Sequence, residues 1–310
     1  MRKRRCLVLG GCGFLGSYVT ESLIGAGHAV RVFDRLHVDT GNIDGCRRHV
    51  ELFYGDMTNE VDLTDALDGV EYVFHFASTT IPQTATENKV FDVESNVVGI
   101  LKLLEICRRK KIKRIVYSSS GGTVYGIPQR IPVSENHRTE PISAYGVSKL
   151  AIEKYFQLYR HLYGMDYVIL RASNPYGPRQ NLQNPQGAVV HFLASTLRGT
   201  PIEIWGDGSV VRDYFFVKDL LSLFPKLMSR QLRHSVFNVG AGRGYSLKQL
   251  LTAIEETLHV RPRVRFVRRR RLDVPINILS VKRIRDELQW KAVTNLESGI
   301  RETWQWLKTR

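Results

Sequence analysis

Three glycines at fixed spacing, Gly10, Gly13 and Gly16, lie between a short apolar run, Leu7-Val-Leu9, and a helical pattern that opens at Phe14. The segment Gly10-Gly-Cys-Gly13-Phe-Leu-Gly16 fits G-x-x-G-x-x-G, and from Gly11 it also fits G-x-G-x-x-G. A strand that turns tightly into a helix lets the backbone approach a pyrophosphate and aims the positive helix end at its charge. Glycines alone are weak evidence, and the context supplies the rest. An acid, Asp34, ends the next apolar run 18 residues past Gly16. A carboxylate there accepts from the ribose hydroxyls of an adenosine and repels a 2′-phosphate, which favours NAD over NADP. Arg35, next to it, is the residue that would accept such a phosphate.

Short apolar runs alternate with helical patterns through the first half. Leu7-Val-Leu, 29–33, 50–54, 72–77, 114–118 and 167–171 are rich in β-branched and aromatic residues and lack polar alternation. Strands covered on both faces of a parallel sheet have this character. Helical patterns at 14–25, 61–67, 93–109 and 144–163 lie between them. The expected class is α/β, a Rossmann-type doubly wound parallel sheet with a smaller C-terminal α/β lobe. Asn174-Pro-Tyr-Gly-Pro reads as a loop by turn chemistry. Helices are expected after it at 188–197, 219–228, 246–258 and 296–307. The expected division is a nucleotide-binding domain over 1–172, with a later segment near 210–240 returning to it, and a substrate lobe over 173–310.

Charge adds little to the fold. Among 310 residues, 45 Lys+Arg against 30 Asp+Glu leave a formal +15, which favours anionic partners. The basic runs at 2–5, 108–111 and 268–271 are short, and no aromatic-interleaved basic stripe marks a nucleic-acid module. Four cysteines, Cys6, Cys12, Cys46 and Cys107, form no C-x-x-C pair and no zinc spacing, so no metal site is expected. No run approaches the roughly 18 apolar residues of a spanning helix. A reduced, cytoplasmic chain without a membrane partner is the simplest expectation.

Tyr145-Gly-Val-Ser-Lys149 puts a phenol and an ammonium four residues apart, on one face of a helix. A neighbouring ammonium and an oxidised nicotinamide both favour phenolate, bringing a reference pKa of about 10 toward working pH. Tyr145 then serves as general base on a sugar or alcohol hydroxyl, and Lys149 also holds the nicotinamide ribose. Upstream, Ser118-Ser-Ser-Gly-Gly-Thr-Val-Tyr-Gly126 offers hydroxyls at the end of a strand for a proton relay.

With these residues in place, the chain resembles an extended short-chain dehydrogenase/reductase of the NAD-dependent sugar epimerase/dehydratase branch. The resemblance runs over nearly the whole length. It is carried by the glycine loop, Asp34, Asp56-Met57, His75-Phe-Ala77, Asn96, Ser118 to Gly126 and Tyr145/Lys149, then by Asn174-Pro-Tyr-Gly, Trp205-Gly-Asp-Gly, Arg212-Asp-Tyr and Arg270-Arg-Leu-Asp273. It implies a seven-stranded sheet holding NAD. Gly10, Gly13, Phe14, Leu15 and Gly16 would meet the pyrophosphate, Asp34 and Arg35 the ribose, and Asp56 and Met57 the adenine. Phe76, Ala77, Ser78, Asn96 and Ser118 would line the rest of the cofactor channel with Tyr145 and Lys149. On the substrate side it implies a nucleoside diphosphate sugar, most simply a UDP-sugar. Asn174, Arg212 and Arg270 match diphosphate-contacting positions, and arginine is the natural fork for phosphate. Asp273 matches a ribose contact, and Val189 and Trp205 are further substrate-side positions.

Dehydrating relatives carry an acidic pair just before Val-Tyr-Gly, and decarboxylating ones a glutamate; this chain has Gly121-Gly122-Thr123. The resemblance therefore implies a nucleotide-sugar 4-epimerase acting through a transient 4-keto sugar. A nucleotide 4-keto-sugar reductase is the alternative, followed by a 4,6-dehydratase, and an NAD-sensing regulator is the non-enzymatic one. The catalytic Ser/Thr position of galactose epimerases falls on Gly121, so Ser120 and Thr123 both stand as candidates for the relay. Four residues past Asp273, at the family's gatekeeper position facing the sugar, stands Asn277, whose intermediate size leans toward acceptance of N-acetyl sugars. Family dimers pair the helix of 93–109 with the one carrying Tyr145, which implies a homodimer.

Overall fold

The computed structural model describes residues 2–182, 187–229, 231–268 and 274–310. Seven parallel strands form the central sheet: β1 (Arg5–Leu9), β2 (Ala29–Asp34), β3 (Val50–Tyr54), β4 (Tyr72–His75), β5 (Arg114–Ser120), β6 (Tyr167–Ala172) and β7 (Val236–Val239). Their order is β7-β6-β5-β4-β1-β2-β3, so the chain winds outward from β1 to one edge, returns, and winds to the other. The reversal falls beside β1, where an open α/β sheet forms its binding crevice. Cys6 to Leu9 are wholly buried, one set of side chains facing each layer, which is why the run shows no polar alternation.

Six principal helices matter to the site: α1 (Phe14–Gly25), α2 (Gly99–Arg109), α3 (Ala144–Tyr163), α4 (Ala188–Arg198), α5 (Leu247–Leu258) and α6 (Leu296–Leu307). α3 is 20 residues long; the Ser143 side chain caps its start by accepting from the Gly146 amide at 3.2 Å, and Gly164 closes it at φ +66°. Such caps are worth about 1 kcal/mol each and fix where the first turn, with Tyr145, begins. α4, α5 and α6 share a separate core with Ile202, Ile204, Tyr214 and Phe216, away from the sheet.

Four expectations need correction. Asn174–Tyr176 is not a loop but a short strand, pairing in parallel with Tyr214–Phe216; a two-stranded ladder leaves room for Pro175, which has no N–H. The helix expected over 93–109 is a π-helix over Val93–Val98 before α2 begins, and the one expected at 219–228 is a 3-10 turn, Val217–Ser222, followed by a short helix, Phe224–Ser229. The fourth strand stops at His75: the Phe76 amide still donates to the Leu9 carbonyl at 2.9 Å, and beyond it Ala77 lies against Gly10.

Candidate active site

At the carboxyl end of β1 the glycine loop is as tight as its sequence demands. Gly10 takes φ +78°, and a Cβ there would stand 2.7 Å from the Ala77 nitrogen. A Cβ on Gly16 would stand 2.0 Å from the Gly10 carbonyl oxygen, so α1 can start this close to the strand only on a bare backbone. Gly13 is the N-cap of α1 and has no side chain to bond the helix's first amides, and the first turn holds no acid. The free amides and positive end of α1 therefore suit the pyrophosphate of a dinucleotide. Phe14 and Leu15 lie half-buried in that first turn.

Asp34, at the end of β2, accepts from the amides of Cys12 (3.1 Å) and Arg35 (3.0 Å), which braces the acid against the loop. Burial nevertheless raises its pKa above the usual carboxylate range. Arg35 itself is exposed. Asp56 accepts from the Thr58 amide at 2.7 Å and hydroxyl at 2.8 Å, and these bonds hold its carboxyl below the usual range. Met57 beside it packs half-buried on the core under β1 and β4. Phe76 meets Phe224 edge-on at 5.6 Å.

The second half of the site is built on α3. Tyr145 lies in its first turn and Lys149 one turn on, with the Lys149 Nζ 5.4 Å from the Tyr145 ring centroid and 4.9 Å from that of Tyr117. The ammonium donates to the Ser118 carbonyl at 3.0 Å, tying α3 to the end of β5. Burial pushes the Tyr145 phenol up to about 12; the Ser78 hydroxyl works against that rise and the Asp92 carboxylate adds to it. Burial pushes Lys149 down to about 8, against the pull of Asp92 and Glu153. Beneath the pair, both ring nitrogens of His75 and the Tyr117 hydroxyl are buried without partners, and burial and Lys149 hold His75 down at about 3.

Ser120 ends β5, and Thr123 lies against the start of α3. A Cβ on Gly146 would be 2.8 Å from the Thr123 carbonyl, so the segment lies directly on the first turn of α3; the Thr123 hydroxyl is buried and unpartnered. Gly121 cannot carry a side chain, since a Cβ would meet Leu279 at 2.5 Å and the Arg171 carbonyl at 2.9 Å. Asn277, almost wholly buried, does not stand in open space: its Nδ2 donates to the Gly121 carbonyl at 3.1 Å, leaving Oδ1 without a partner. Asn277 is also the register partner of Arg212 on adjacent short strands, and the Arg212 guanidinium donates to the Val274 carbonyl at 2.7 Å. Asn174 follows β6 and its amide donates to the Asp213 carbonyl at 3.0 Å. The fold thus gathers Asn174, Arg212, Asn277 and the Ser120–Thr123 segment at one end of the sheet. Val189 is buried in the first turn of α4, and Trp205, partly exposed, ends the strand Ile202–Trp205. Arg270 and Asp273 lie outside the described residues.

Sequence reasoning missed three polar groups. Asp92 accepts from Asn96 Nδ2 at 3.1 Å and Ser148 Oγ at 2.5 Å, and the Thr80 hydroxyl also donates to it. Glu153, fully buried, accepts from Arg171 at 2.6 Å and from Ser119 at 2.5 Å. Arg171 donates onward to Tyr125 at 2.9 Å, which donates to Asn238 at 2.7 Å. One signal was available: Glu153 follows Lys149 by four and Tyr145 by eight, on the face that must be buried.

The model of the NAD dependent epimerase/dehydratase family matches residues 6–240. The chain belongs to that family. It is an enzyme whose cofactor is NAD, and the glycine cradle and uncapped start of α1 fit that cofactor. A UDP-glucose 4-epimerase of Mycolicibacterium smegmatis is 34% identical over 319 residues, covering 99% of both chains. A crystal structure of UDP-glucose 4-epimerase from Thermotoga maritima with UDP-glucose superposes with a TM-score of 0.93 at 32% identity, covering 98% of this chain and 99% of that one. A UDP-N-acetylglucosamine 4-epimerase from Methanobrevibacter ruminantium in complex with UDP-N-acetylmuramic acid gives 0.91 at 28% identity, covering 100% and 99%. The seven-stranded parallel sheet is the one this family was expected to bring. Among the described residues no helix is long and apolar enough to cross a membrane, and no cluster of His, Cys, Asp or Glu is arranged to hold a metal.

Proposed function

We propose that the chain interconverts the C4 epimers of a UDP-hexose, with Tyr145 as the general base. The observation that carries this reading is Tyr145 at the positive end of α3, a turn from Lys149, on a helix start against which lies a Ser120–Thr123 segment that holds no carboxylate. Bound NAD supplies the acceptor, and later the donor, of the C4 hydride. Tyr145 takes the 4-hydroxyl proton and returns it; Lys149 and the helix dipole favour the phenolate that does so. With Gly121 closed to side chains, the relay falls to Ser120 or Thr123, and the unpartnered Thr123 hydroxyl beside α3 favours Thr123. Gly10, Gly13, Phe14, Leu15 and Gly16 hold the pyrophosphate, and Asp34 the ribose. Asp56 and Met57 flank the adenine, and Phe76, Ala77, Ser78, Asn96 and Ser118 close the channel. Asn174, Val189, Trp205 and Arg212 serve the UDP moiety from the C-terminal lobe.

The named relatives act on UDP-sugars, plain and N-acetylated, which supports the uridine base. Proton NMR of the purified protein with UDP-glucose, UDP-galactose and their N-acetyl forms, without added cofactor, tests the whole reading. Conversion between C4 epimers is expected. If all four sugars remain unchanged even with NAD added, the epimerase reading of these sugars is wrong.

The assembly we propose is a homodimer. Phe91 is 48% exposed, and Val147 (53%) and Leu162 (54%) lie on α3, which packs against the short helix Lys89–Asp92. Exposed apolar side chains on α3 and on the helix before it suit an interface between two copies. Light scattering is expected to give twice the 35.5 kDa chain mass, and Val147→Glu to give the monomer; a monomeric wild type would refute it.

A further inference from the structure

Asp92 ends the short helix Lys89–Asp92 and is only 1% exposed. Its hydrogen-bonding side-chain partners, Thr80, Asn96 and Ser148, are all neutral. With Ser78, Asn96, Tyr145, Ser148 and Lys149 it lines one small cavity. The groups around that cavity can be named element by element. On α3 stand Tyr145, Lys149 and Glu153; β4 brings His75, held neutral, and β5 brings Tyr117, whose hydroxyl burial holds protonated. Glu153 is matched by the bidentate Arg171 guanidinium. Among the described residues this leaves Asp92 as the carboxylate at Tyr145 that is matched by no arginine, and Lys149 as the nearby cation.

We propose that Asp92 is a positioning residue for the Tyr145/Lys149 pair, its buried negative charge keeping protons on both and setting the pH at which the pair ionises. The proposal rests on the reading of Tyr145 as general base. A buried carboxylate stabilises Lys149 as ammonium and opposes phenolate on Tyr145, so the resting site holds its full set of protons until substrate and oxidised cofactor arrive. Its bond to Ser148, the residue before Lys149 on α3, joins the carboxylate to the helix that carries the pair, while Thr80 and Asn96 hold it in place from the other side.

The test is the titration of Lys149 in the protein as purified, followed by NMR of isotope-labelled lysine and assigned with Lys149→Met. In Asp92→Asn, or Asp92→Ser where the amide does not fold, the Lys149 midpoint is expected to fall by about 1 pH unit. The acid limb of the kcat/KM profile is expected to move the same way. Ser148→Ala removes one hydrogen bond and keeps the charge, so its midpoint is expected to stay at the wild-type value. An unshifted midpoint in the Asp92 variants overturns the proposal, and so does an equal shift in Ser148→Ala. A shifted midpoint in a protein inactive on every UDP-sugar would sustain the role of Asp92 and defeat the epimerase reading instead.

Discussion

Tyr145→Phe is expected to lower turnover of UDP-galactose by about a hundred- to ten-thousandfold, the range a positioned acid–base group contributes. The ring keeps its place, because the first turn of α3 is fixed by Ser143 and by the close approach of Thr123 to Gly146, neither of which involves the phenol oxygen. Lys149 keeps its bond to the Ser118 carbonyl, so its position survives the loss of the hydroxyl. The deficit is therefore expected in kcat, with the KM for the sugar and the amount of NAD that copurifies close to wild type. Steady-state kinetics with cofactor quantitation after denaturation separates these cases. Activity within tenfold of wild type would remove Tyr145 from the chemistry. A protein stripped of NAD would instead place the phenol in cofactor binding.

The largest loss of stability is expected from Glu153→Gln. Glu153 and Arg171 meet at 2.6 Å with both side chains nearly inaccessible, 0% and 6% exposed. Replacing the acid by an amide leaves a guanidinium in the core with no counter-charge, a change that costs about 3–5 kcal/mol. Arg171 also stacks over Tyr125 at 4.8 Å and is bonded to its hydroxyl. Tyr125 and Asn238, whose Nδ2 donates to the Val133 carbonyl at 2.8 Å, would be disturbed with it. Denaturant unfolding is expected to show a lower midpoint at unchanged slope. The double variant Glu153→Leu with Arg171→Met, which removes both charges, is expected to be more stable than Glu153→Gln alone. If the single variant is the more stable of the two, the unpaired guanidinium is not the costly element.

The sheet was legible where strands are buried on both faces, because a run such as Tyr167 to Arg171 can be nearly continuous in large side chains. The seventh strand was not, since Val236–Val239 is four residues long and its Asn238 breaks the apolar run. That asparagine is itself buried for a reason only the fold supplies, its bonds to Tyr125, Val133 and Ser280. At the site, the glycine loop and the Tyr145/Lys149 spacing could be read because each is local. Asp92 could not: its partners Thr80, Asn96 and Ser148 come from three segments, and a lone acid in a helical pattern looks like surface charge. The reach of Asn277 to Gly121 spans 156 residues and was equally invisible.

The π-helix of Val93–Val98 also sets a ruler. Each residue in an α-helix turns the chain by about 100°, and a π-turn holds one residue more than an α-turn over the same span. Downstream, Ile100, Leu103, Leu104 and Cys107 fix α2 on the sheet; upstream, Asp92 and Asn88 take their bearing from the number of residues between. Shortening the stretch by a single residue would therefore leave α2 seated while swinging Asp92 about a quarter-turn away from Ser148. In this part of the chain a substitution changes the contacts of one side chain, whereas a change of length re-aims every residue upstream of it.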